Sequence, residues 1–428
     1  MAVQQQNTAA FVESFAALKR SEPAWLADRR RLAIERFSLL GIPTTHDEEY
    51  KYTSLKAISG QTWTPSAAVS VEAPSVDYAG EEAARIVFVD GRFLGAAGDA
   101  SLAARLTSRL AGVEGHLTRY ADFESHALTA LNTAFFTDGA VVEIPEKAIV
   151  DKPIHVVWIS TGKAGLVSHP RTLILAGRSS QASVIESFVS LAEGAAWTNS
   201  VTEIVAEENA RIEHFAVQQQ GSDALHTGVI QGLAERSAYI STISLSFGAR
   251  LARNDVRVKL NGEGAECALD GLYVVNGKQH VDHHTVIDHA SPNCNSHQLY
   301  KGVLDGESRG VFNGKIFVRR DAQKTDAIQN NKNLLLSRKA EIDTKPQLEI
   351  DANDVRCTHG ATIGQLDADA LFYLQARGIG AAQARHLLTY AFAADLLERI
   401  KVQALRDHFE HVLMRTLSED PNAEETHS

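Results

Sequence analysis

The chain has 428 residues, 44% of them hydrophobic, and its 42 lysines and arginines are outnumbered by 53 aspartates and glutamates. A formal net charge of −11 argues against binding to nucleic acid phosphates or to anionic membranes. No apolar run is long enough to cross a bilayer, and the N-terminus lacks the basic start and apolar stretch of an export signal. We therefore expect a cytoplasmic protein with packed cores, and neither nucleic acid nor membrane as a partner.

Three cysteines occur, Cys267, Cys294 and Cys357, and none belongs to a CxxC pair. This spacing supplies neither a disulfide framework nor a four-cysteine metal site, and it fits a reducing cytosol. A metal or cluster held through cysteine would need ligands of another type or from another chain.

The chain is expected to begin with a helical and mixed region, residues 1–125. Helical spacing of apolar residues predicts two helices within residues 11–40, separated at Pro23 and closed by Gly41. The segment RIVFVDGRFL, residues 85–94, alternates apolar and polar side chains around Asp-Gly, which is a strong signal for a β-hairpin.

The middle of the chain has an internal repeat. Six units, each a turn followed by an alternating strand, begin fourteen residues apart near Ala182, Ala196, Ala210, Ala224, Ala238 and Ala252. Short strands at a fixed period are typical of a coil that stacks on itself, so we predict a β-solenoid over residues 126–364. Two units per coil would give a coil of roughly 28 residues. A double-sheet sandwich is the alternative.

Helical spacing returns towards the C-terminus. Asp367 is placed to cap a first helix, Gly-Ile-Gly at 378–380 interrupts the pattern, and two further helices are predicted at 382–400 and 402–417. Residues 365–428 are therefore assigned to a C-terminal helical region.

The most polar stretch of the repeats is HVDHHTVIDH, residues 280–289, with four histidines and two aspartates. These residue types bind borderline metals, but on a strand Asp282 and His284 point to one side and His283 to the other. Hydrogen bonding along the solenoid surface is therefore favoured over a metal site. In a β-helix enzyme that cleaves polysaccharides, Asp282, His284 and His289 would be the acid and base groups.

Two other polar motifs lie further along the repeats. The run NNKN, residues 330–333, is interpreted as a structural turn, because asparagine tolerates unusual backbone angles. Cys357 and His359 are two residues apart on an extended strand and share a face. One thiolate and one imidazole do not complete a metal site, and the pair also fits a buried cysteine and a hydrogen-bonded histidine. Signatures of nucleotide binding and of nucleophilic catalysis are absent, so no enzyme is expected.

Together the motifs resemble the SufD family of iron–sulfur cluster assembly proteins, and the resemblance covers nearly the whole chain. The matching segments are PTTHDEEYKYT (43–53), DHHTVIDH (282–289), LYKGVLDG (299–306), VFNGKI (311–316), DTKPQLEI (343–350), CTHGATIG (357–364) and FYLQARGI (372–379). The family pattern has tryptophan where this chain has Tyr50. SufB-type chains carry Glu-His-Glu-Ala-Thr in place of the CTHGAT sequence, so SufD is preferred over its homologue SufB.

The resemblance implies a mainly β fold, a right-handed parallel β-helix flanked by helical regions at both ends. It also implies a non-enzymatic scaffold that pairs through its β-helix with a SufB homologue and docks the ATPase SufC. A nascent iron–sulfur cluster would form at the SufB interface, using a SufB cysteine and His359, with Cys357 assisting or packing beside it. Tyr373 and Arg377 would belong to the SufC-docking region. Whether a flavin binds the complex is left open.

Two alternatives come from other classes of protein. One is a cytoplasmic β-helix enzyme that acts on a polysaccharide. The other is a homodimeric scaffold that works without the ATPase.

Overall fold

The repeats of the sequence form β-strands that pair in parallel with those of the neighbouring coils. The computed structural model describes residues 2–18, 20–66, 76, 78–80, 83–98, 105–107 and 112–418. Residues 67–75 and 419–428, which belong to the first and last predicted regions, lie outside this description.

The helices are α1 (Ala2–Ala17), α2 (Ala24–Leu40), α3 (Lys56–Ser59), α4 (Ala127–Phe135), α5 (Ala368–Ala376), α6 (Ala381–Leu397) and α7 (Gln403–Ser418), with a 3₁₀ turn at Glu48–Tyr50. The strands are β1 (Thr64–Pro65), β2 (Ala84–Val89), β3 (Arg92–Ala97), β4 (Arg105–Thr107), β5 (Ala140–Ile144), β6 (Ile154–Ser160), β7 (Leu166–Ser168), β8 (Arg171–Ala176), β9 (Gln181–Ser190), β10 (Trp197–Ala206), β11 (Arg211–Gln219), β12 (Leu225–Ala234), β13 (Tyr239–Ser246), β14 (Leu251–Leu260), β15 (Glu266–Val275), β16 (His280–His289), β17 (Asn295–Leu304), β18 (Arg309–Val318), β19 (Asp326–Leu335), β20 (Glu341–Ile350) and β21 (Arg356–Gly364).

The strands form a β-solenoid of about eight coils with two sheets. From β8 onward the even-numbered strands pair in parallel in one sheet, which we call sheet A, and from β9 onward the odd-numbered strands pair in parallel in sheet B. Between β10 and β12, Trp197 lies opposite Leu225, 28 positions later. The predicted solenoid and its coil length are confirmed, and the sandwich alternative is wrong because each strand pairs with the equivalent strand of the next coil.

A corner that recurs once per coil accounts for part of the repeat in the sequence. Before each strand of sheet B from β9 to β19, a residue with positive φ is followed by a small buried residue. These pairs are Ser179–Ser180, Asn209–Ala210, Ser237–Ala238, Gly264–Ala265, Asn293–Cys294 and Lys324–Thr325. The left-handed residue turns the chain, and the small side chain lets successive corners stack closely. Cys294 is thus a corner residue, and Cys267 lies in the solenoid core.

The N-terminal helices pack against the outer surface of sheet A. Helix α2 begins after Pro23 and ends at Gly41, whose φ of 68° closes the helix, as the sequence predicts. Phe37 contributes to an apolar cluster that includes Trp197 and Leu225 on the outside of the sheet. The predicted hairpin is β2 and β3, whose turn at Asp90 and Gly91 has positive φ at both residues.

The C-terminal helices cover the outer surface of sheet B. Asp367 caps α5 by accepting a hydrogen bond from the Asp369 amide at 2.8 Å, as the sequence predicts. Leu396 and Phe409, from α6 and α7, share an apolar cluster with Phe247 of the solenoid. None of the described helices is long and apolar enough to cross a membrane.

The interpretation of residues 330–333 as a turn is wrong. They lie inside β19, and Asn331 and Asn333 are buried in the solenoid. Asn333 Nδ2 donates to Asn331 Oδ1 at 2.6 Å, and the Tyr273 hydroxyl donates to Asn333 Oδ1. Asparagine is tolerated in this strand because neighbouring interior polar groups satisfy its amide.

Candidate functional site

The last coil leaves one edge of each sheet open. Within the part of the chain that the structure describes, β20 pairs only with β18 and β21 pairs only with β19. Backbone N–H and C=O groups on such edges can bond to strands of another chain. Both strands carry motifs singled out in the sequence, DTKPQLEI and CTHGATIG.

The last coil also exposes the inner surface of the solenoid. Alternate side chains of β18 and β19 point into the solenoid. Because of the pairing register, the side chains opposite them on β20 and β21 point the same way and form two interior rows. We call the residues of these rows the end face: Ile342, Thr344, Pro346, Leu348, Ile350, Cys357, His359, Ala361 and Ile363. One coil earlier Ala327, opposite Cys357, is fully buried, whereas Ile363 is 51% exposed. The end face is therefore a core surface without a further described coil to cover it.

His359 is the last of a line of polar side chains that runs through the interior of the solenoid from one coil to the next. It lies opposite Gln329, which is fully buried and donates through Nε2 to Gln298 Oε1 at 2.7 Å. Gln298 Nε2 in turn donates to Thr285 Oγ1 at 2.6 Å. Gln329 Oε1 is buried without a hydrogen-bond partner. The imidazole is exposed because it lies on the last strand of the solenoid.

Cys357 lies in the same row as His359, so the structure brings the two predicted site residues onto one face. It is half-buried and packs against the solenoid core. Burial, together with the charge of Asp326, raises the pKa of its thiol. The thiol is therefore protonated at neutral pH until a metal or a new positive charge displaces the proton.

These two side chains do not form a complete metal site. Among the described residues, no three histidine, cysteine, aspartate or glutamate side chains gather as metal ligands. Cys267 is fully buried and Cys294 is a buried corner residue, and burial raises the pKa of both thiols. Of the three cysteines, only Cys357 reaches the end face.

The polar stretch 280–289 is divided between the two sides of β16. His283 faces the interior, between the rings of Tyr273 and Tyr300 with centroids 5.2 Å away from each. Burial lowers the pKa of His283 to about 4, so it is neutral. His289 also faces inward and lies 2.9 Å from Ser296 Oγ.

Asp282 and His284 face outward, yet they are buried beneath the segment around Tyr50. Arg253 Nη1 donates to Asp282 Oδ2 at 2.7 Å, and its guanidinium lies 3.8 Å from the centroid of the Tyr50 ring. His284 Nε2 lies 3.1 Å from Asp282 Oδ1, and Nδ1 lies 3.2 Å from Glu49 Oε2. His289 is on the opposite face, so the three acid and base groups of the enzyme alternative do not converge.

The charges of this outer cluster hold one another in their ionised forms. Burial alone would raise the pKa of Asp282, but His284 and Arg253 outweigh burial and lower it. Burial alone would lower the pKa of His284, but Asp282 outweighs burial and raises it. The cluster fastens the HDEEYKYT segment to sheet A.

Sequence reasoning missed Arg253, which organises this cluster. It occupies an outward position of β14 but is only 1% exposed, because the chain around Glu49 covers it. An arginine in a strand gives no sign by itself that a distant segment will bury it. The HDEEYKYT motif supplies the aromatic ring and the carboxylate, and only the fold brings them to the arginine.

Helix α5 presents an uncovered aromatic surface. None of its residues is buried, and Phe372 and Tyr373 are 72% and 54% exposed. The Arg377 guanidinium lies 4.4 Å from the centroid of the Tyr373 ring. The structure thus places Tyr373 on an exposed helix, with Arg377, the residue that follows the helix, against its ring.

Ion pairs connect the next helix to sheet B. Arg399 Nη1 donates to both carboxylate oxygens of Asp270, at 3.0 and 2.9 Å. Lys301 donates to the Phe392 carbonyl at 2.7 Å and forms an ion pair with Asp395. Asp270 is 4% exposed, so its charge depends on Arg399.

Two protein-family models match this chain, one over most of the solenoid and one over the N-terminal region. The family model described as "SUF system FeS cluster assembly, SufBD core domain" matches residues 158–392. The model described as "SufBD protein N-terminal region" matches residues 1–71 and 98–156.

Several curated relatives extend over most of the chain. An iron–sulfur cluster assembly SufBD family protein of Synechocystis sp. is 32% identical over 419 residues, 91% of each chain. The iron–sulfur cluster assembly protein SufD of Escherichia coli is 32% identical over 375 residues, 86% of this chain and 87% of the relative. The chloroplastic protein ABCI7 of Arabidopsis thaliana is 34% identical over 281 residues, 63% of this chain and 58% of the relative.

Proposed function

Because this chain belongs to the SufBD family of iron–sulfur cluster assembly proteins, we propose that it is a SufD-type scaffold subunit that pairs with a SufB homologue and docks the ATPase SufC. It contributes binding surfaces and has no catalytic activity of its own. The nascent iron–sulfur cluster is the cargo of the complex.

The open end of the solenoid is the observation that carries this proposal. A homologous solenoid presents strands of the same type and spacing, so it can pair with the edges of β20 and β21 and bury the end face. Ile363 and Ile350, which are 51% and 41% exposed, would then regain the apolar environment of the interior rows.

Cys357 and His359 give the cluster two donors from this chain. Because the described residues provide no third ligand nearby, the remaining ligands come from the SufB homologue across the interface. A site divided between two chains assembles only when both are in place, and it releases its cargo when the interface opens.

Helix α5 supports docking of the ATPase. Exposed aromatic residues beside an arginine are typical of the centres of protein interfaces, and Phe372, Tyr373 and Arg377 provide this combination. The three free cysteines suit a reducing compartment, and we propose the cytosol. A flavin in the complex and region boundaries after residues 125 and 364 stay predictions.

Pairing is tested with Ile363→Asp in a chain co-expressed with its SufB and SufC homologues. A charge buried within the end face is expected to abolish co-purification with the SufB homologue. Leu39→Asp is the control, because Leu39 is 76% exposed on α2, far from the end face. Equal retention of both variants would rule out the end face as the interface. If Ile363→Asp instead dissociated only a dimer of the isolated chain, the homodimeric scaffold would be favoured.

The role of His359 is tested in the purified complex. His359→Ala is expected to reduce anaerobic cluster formation, followed by absorbance and iron content, while the subunits stay together. His46→Ala, which removes another exposed histidine, should leave cluster formation unchanged. Full assembly by His359→Ala would remove His359 from the cluster site and leave the pairing proposal standing.

A further inference from the structure

A cavity of about 360 Å³ lies on the outer surface of sheet A, away from the end face and from α5. Its walls are β12 and β14, the segment from the end of α2 through the 3₁₀ turn, and the first turn of α4 with the two residues before it. Pro43, Leu128 and Val229 supply apolar lining. Cavities of this size bind small molecules whose polar ends meet a few convergent groups.

The carboxylates that line the cavity already have partners. Asp255 accepts a hydrogen bond from Arg253 at 3.0 Å, and Glu49 lies 3.2 Å from His284. Glu48 accepts from Lys345 at 3.1 Å, and Asp47 accepts from the Thr44 amide at 2.7 Å. No three potential metal ligands come together among the described residues. These carboxylates are therefore engaged within the protein and do not converge on a metal ion.

Two nitrogen-bearing side chains of the lining are less engaged. The nearest carboxylate to Arg257 is Asp255, with 3.9 Å between Nη2 and Oδ1, which is beyond hydrogen-bond distance. His126 is the residue before α4, and its side chain does not cap the helix. Burial, followed by the charge of Arg257, lowers the pKa of His126, so the imidazole is a neutral hydrogen-bonding group.

The first turn of α4 adds donors to the same cavity. Ala130 N–H bonds to the His126 carbonyl, and the preceding N–H groups of a helix lack acceptors within the helix. Thr129, in that turn, is fully buried, and its hydroxyl has no hydrogen-bond partner. A buried hydroxyl without a partner destabilises the protein, and a ligand that accepts its hydrogen bond would remove this penalty.

We propose that this cavity binds a small organic oxyanion, a phosphate or carboxylate carried on a compact apolar group. The oxyanion accepts hydrogen bonds from Arg257, from the first turn of α4 and from the Thr129 hydroxyl, where the helix dipole also favours negative charge. The apolar group packs against Pro43, Leu128 and Val229. The site joins α4 to sheet A, so an occupant would stabilise the N-terminal region on the solenoid.

Isothermal titration of the full chain with inorganic phosphate, phenyl phosphate and benzoate tests this proposal. Binding of phenyl phosphate that is tighter than that of inorganic phosphate is expected, because only the former has the apolar group. If benzoate binds and the two phosphates do not, the oxyanion is a carboxylate. Absence of binding by all three compounds at millimolar concentrations would overturn the proposal.

Variants locate the site. Arg257→Gln is expected to weaken binding of the tightest probe by about tenfold, as the loss of a charge-assisted hydrogen bond predicts. Lys259→Gln is the matched control, because Lys259 lies on the same outward row of β14 but does not line the cavity. Equal weakening by both variants would indicate general charge attraction and contradict the proposal.

A second pair of variants separates binding from folding. Thr129→Val keeps the shape of the side chain and removes the unpartnered hydroxyl, so binding should weaken several-fold without loss of thermal stability. Val229→Trp should fill the cavity and abolish binding. Unchanged binding in a folded Val229→Trp protein would place the ligand elsewhere.

Discussion

At the scale of single residues, Arg253 determines how the N-terminal segment is attached. Its guanidinium lies between Asp282 and Asp255 and under the Tyr50 ring. A cation over an aromatic face is attracted by the ring, and tryptophan does this best. Tyr50 stands where the resemblance predicts a tryptophan, and its ring provides this interaction.

Replacing Arg253 tests this arrangement. Arg253→Met leaves two buried carboxylates without their main partner, and the free energy of unfolding should fall by about 3–5 kcal/mol. Urea denaturation measures the loss. The control is Arg319→Met, since Arg319 pairs with Asp288 at a 54% exposed position, where a surface pair contributes about 1 kcal/mol or less. Similar losses in both variants would contradict the central role of Arg253.

The same cluster predicts a dependence of stability on pH. The hydrogen bond from His284 lowers the pKa of Glu49 from 4.5 to about 2. The contribution of ionised Glu49 to the free energy of unfolding is therefore complete above pH 4.5. That contribution is lost as the pH falls from about 4.5 towards 2. The pKa of His284 is raised above 6.5, so its contribution is complete below pH 6.5 and is lost as the pH rises through the raised value.

Glu49→Gln should flatten the acid side of this profile. The measurement is the urea midpoint between pH 6 and pH 3, compared with wild type. Glu35→Gln, on the exposed surface of α2, should retain the wild-type slope. An unchanged slope in Glu49→Gln would show that other carboxylates cause the acid sensitivity.

At the scale of elements, the corners before the strands of sheet B maintain the register of the coils. Asn209 has a φ of 60° and precedes the fully buried Ala210. Asparagine tolerates the left-handed region, glycine adopts it freely, and β-branched residues are strained there.

Substitutions at Asn209 should follow this order. Asn209→Gly is expected to change the free energy of unfolding by less than about 1 kcal/mol, and Asn209→Val to lower it by about 1–2 kcal/mol. Thermal denaturation followed by circular dichroism compares the two. Because Asn209 is exposed, a greater loss in the glycine variant would mean that its side chain, and not its backbone, supports the corner.

Sequence reasoning reached the elements more easily than the contacts between them. Strand alternation and the spacing of the alanines predict the solenoid, because both patterns are visible within each short repeat of the sequence. The asparagine run was misread as a turn because its hydrogen bonds go to Tyr273, which is distant in sequence. The cavity beside Arg257 was missed for the same reason, since its walls come from four separate segments.

The candidate site was only partly visible in the sequence. The shared face of Cys357 and His359 follows from strand alternation, and the structure has both in one row. That this row is the uncovered end of the interior follows from the register of β19 and β21. No local pattern in the sequence shows which strand is the last one of the solenoid.

At the scale of the whole molecule, Arg399 and Lys301 connect the C-terminal helices to sheet B. Arg399→Met would leave Asp270 buried without its partner, so α6 and α7 should exchange amide hydrogens faster while β10 to β18 keep their protection. Hydrogen exchange with mass spectrometry measures this difference. Lys401→Met removes a 72% exposed partner of Glu213 and should have little effect. Uniformly faster exchange would indicate global destabilisation.

The two ends of the solenoid differ, and this limits how many chains can join. At the end where the chain starts, the sheets finish in the antiparallel pairs β2–β3 and β4–β5, and at the other end they finish in parallel strands. When two solenoids meet through the ends that finish in parallel strands, neither has another end of this kind with which to bind a third. An association of the proposed kind would therefore close at two solenoids, whereas solenoids whose two ends could pair with each other would stack head to tail into a filament.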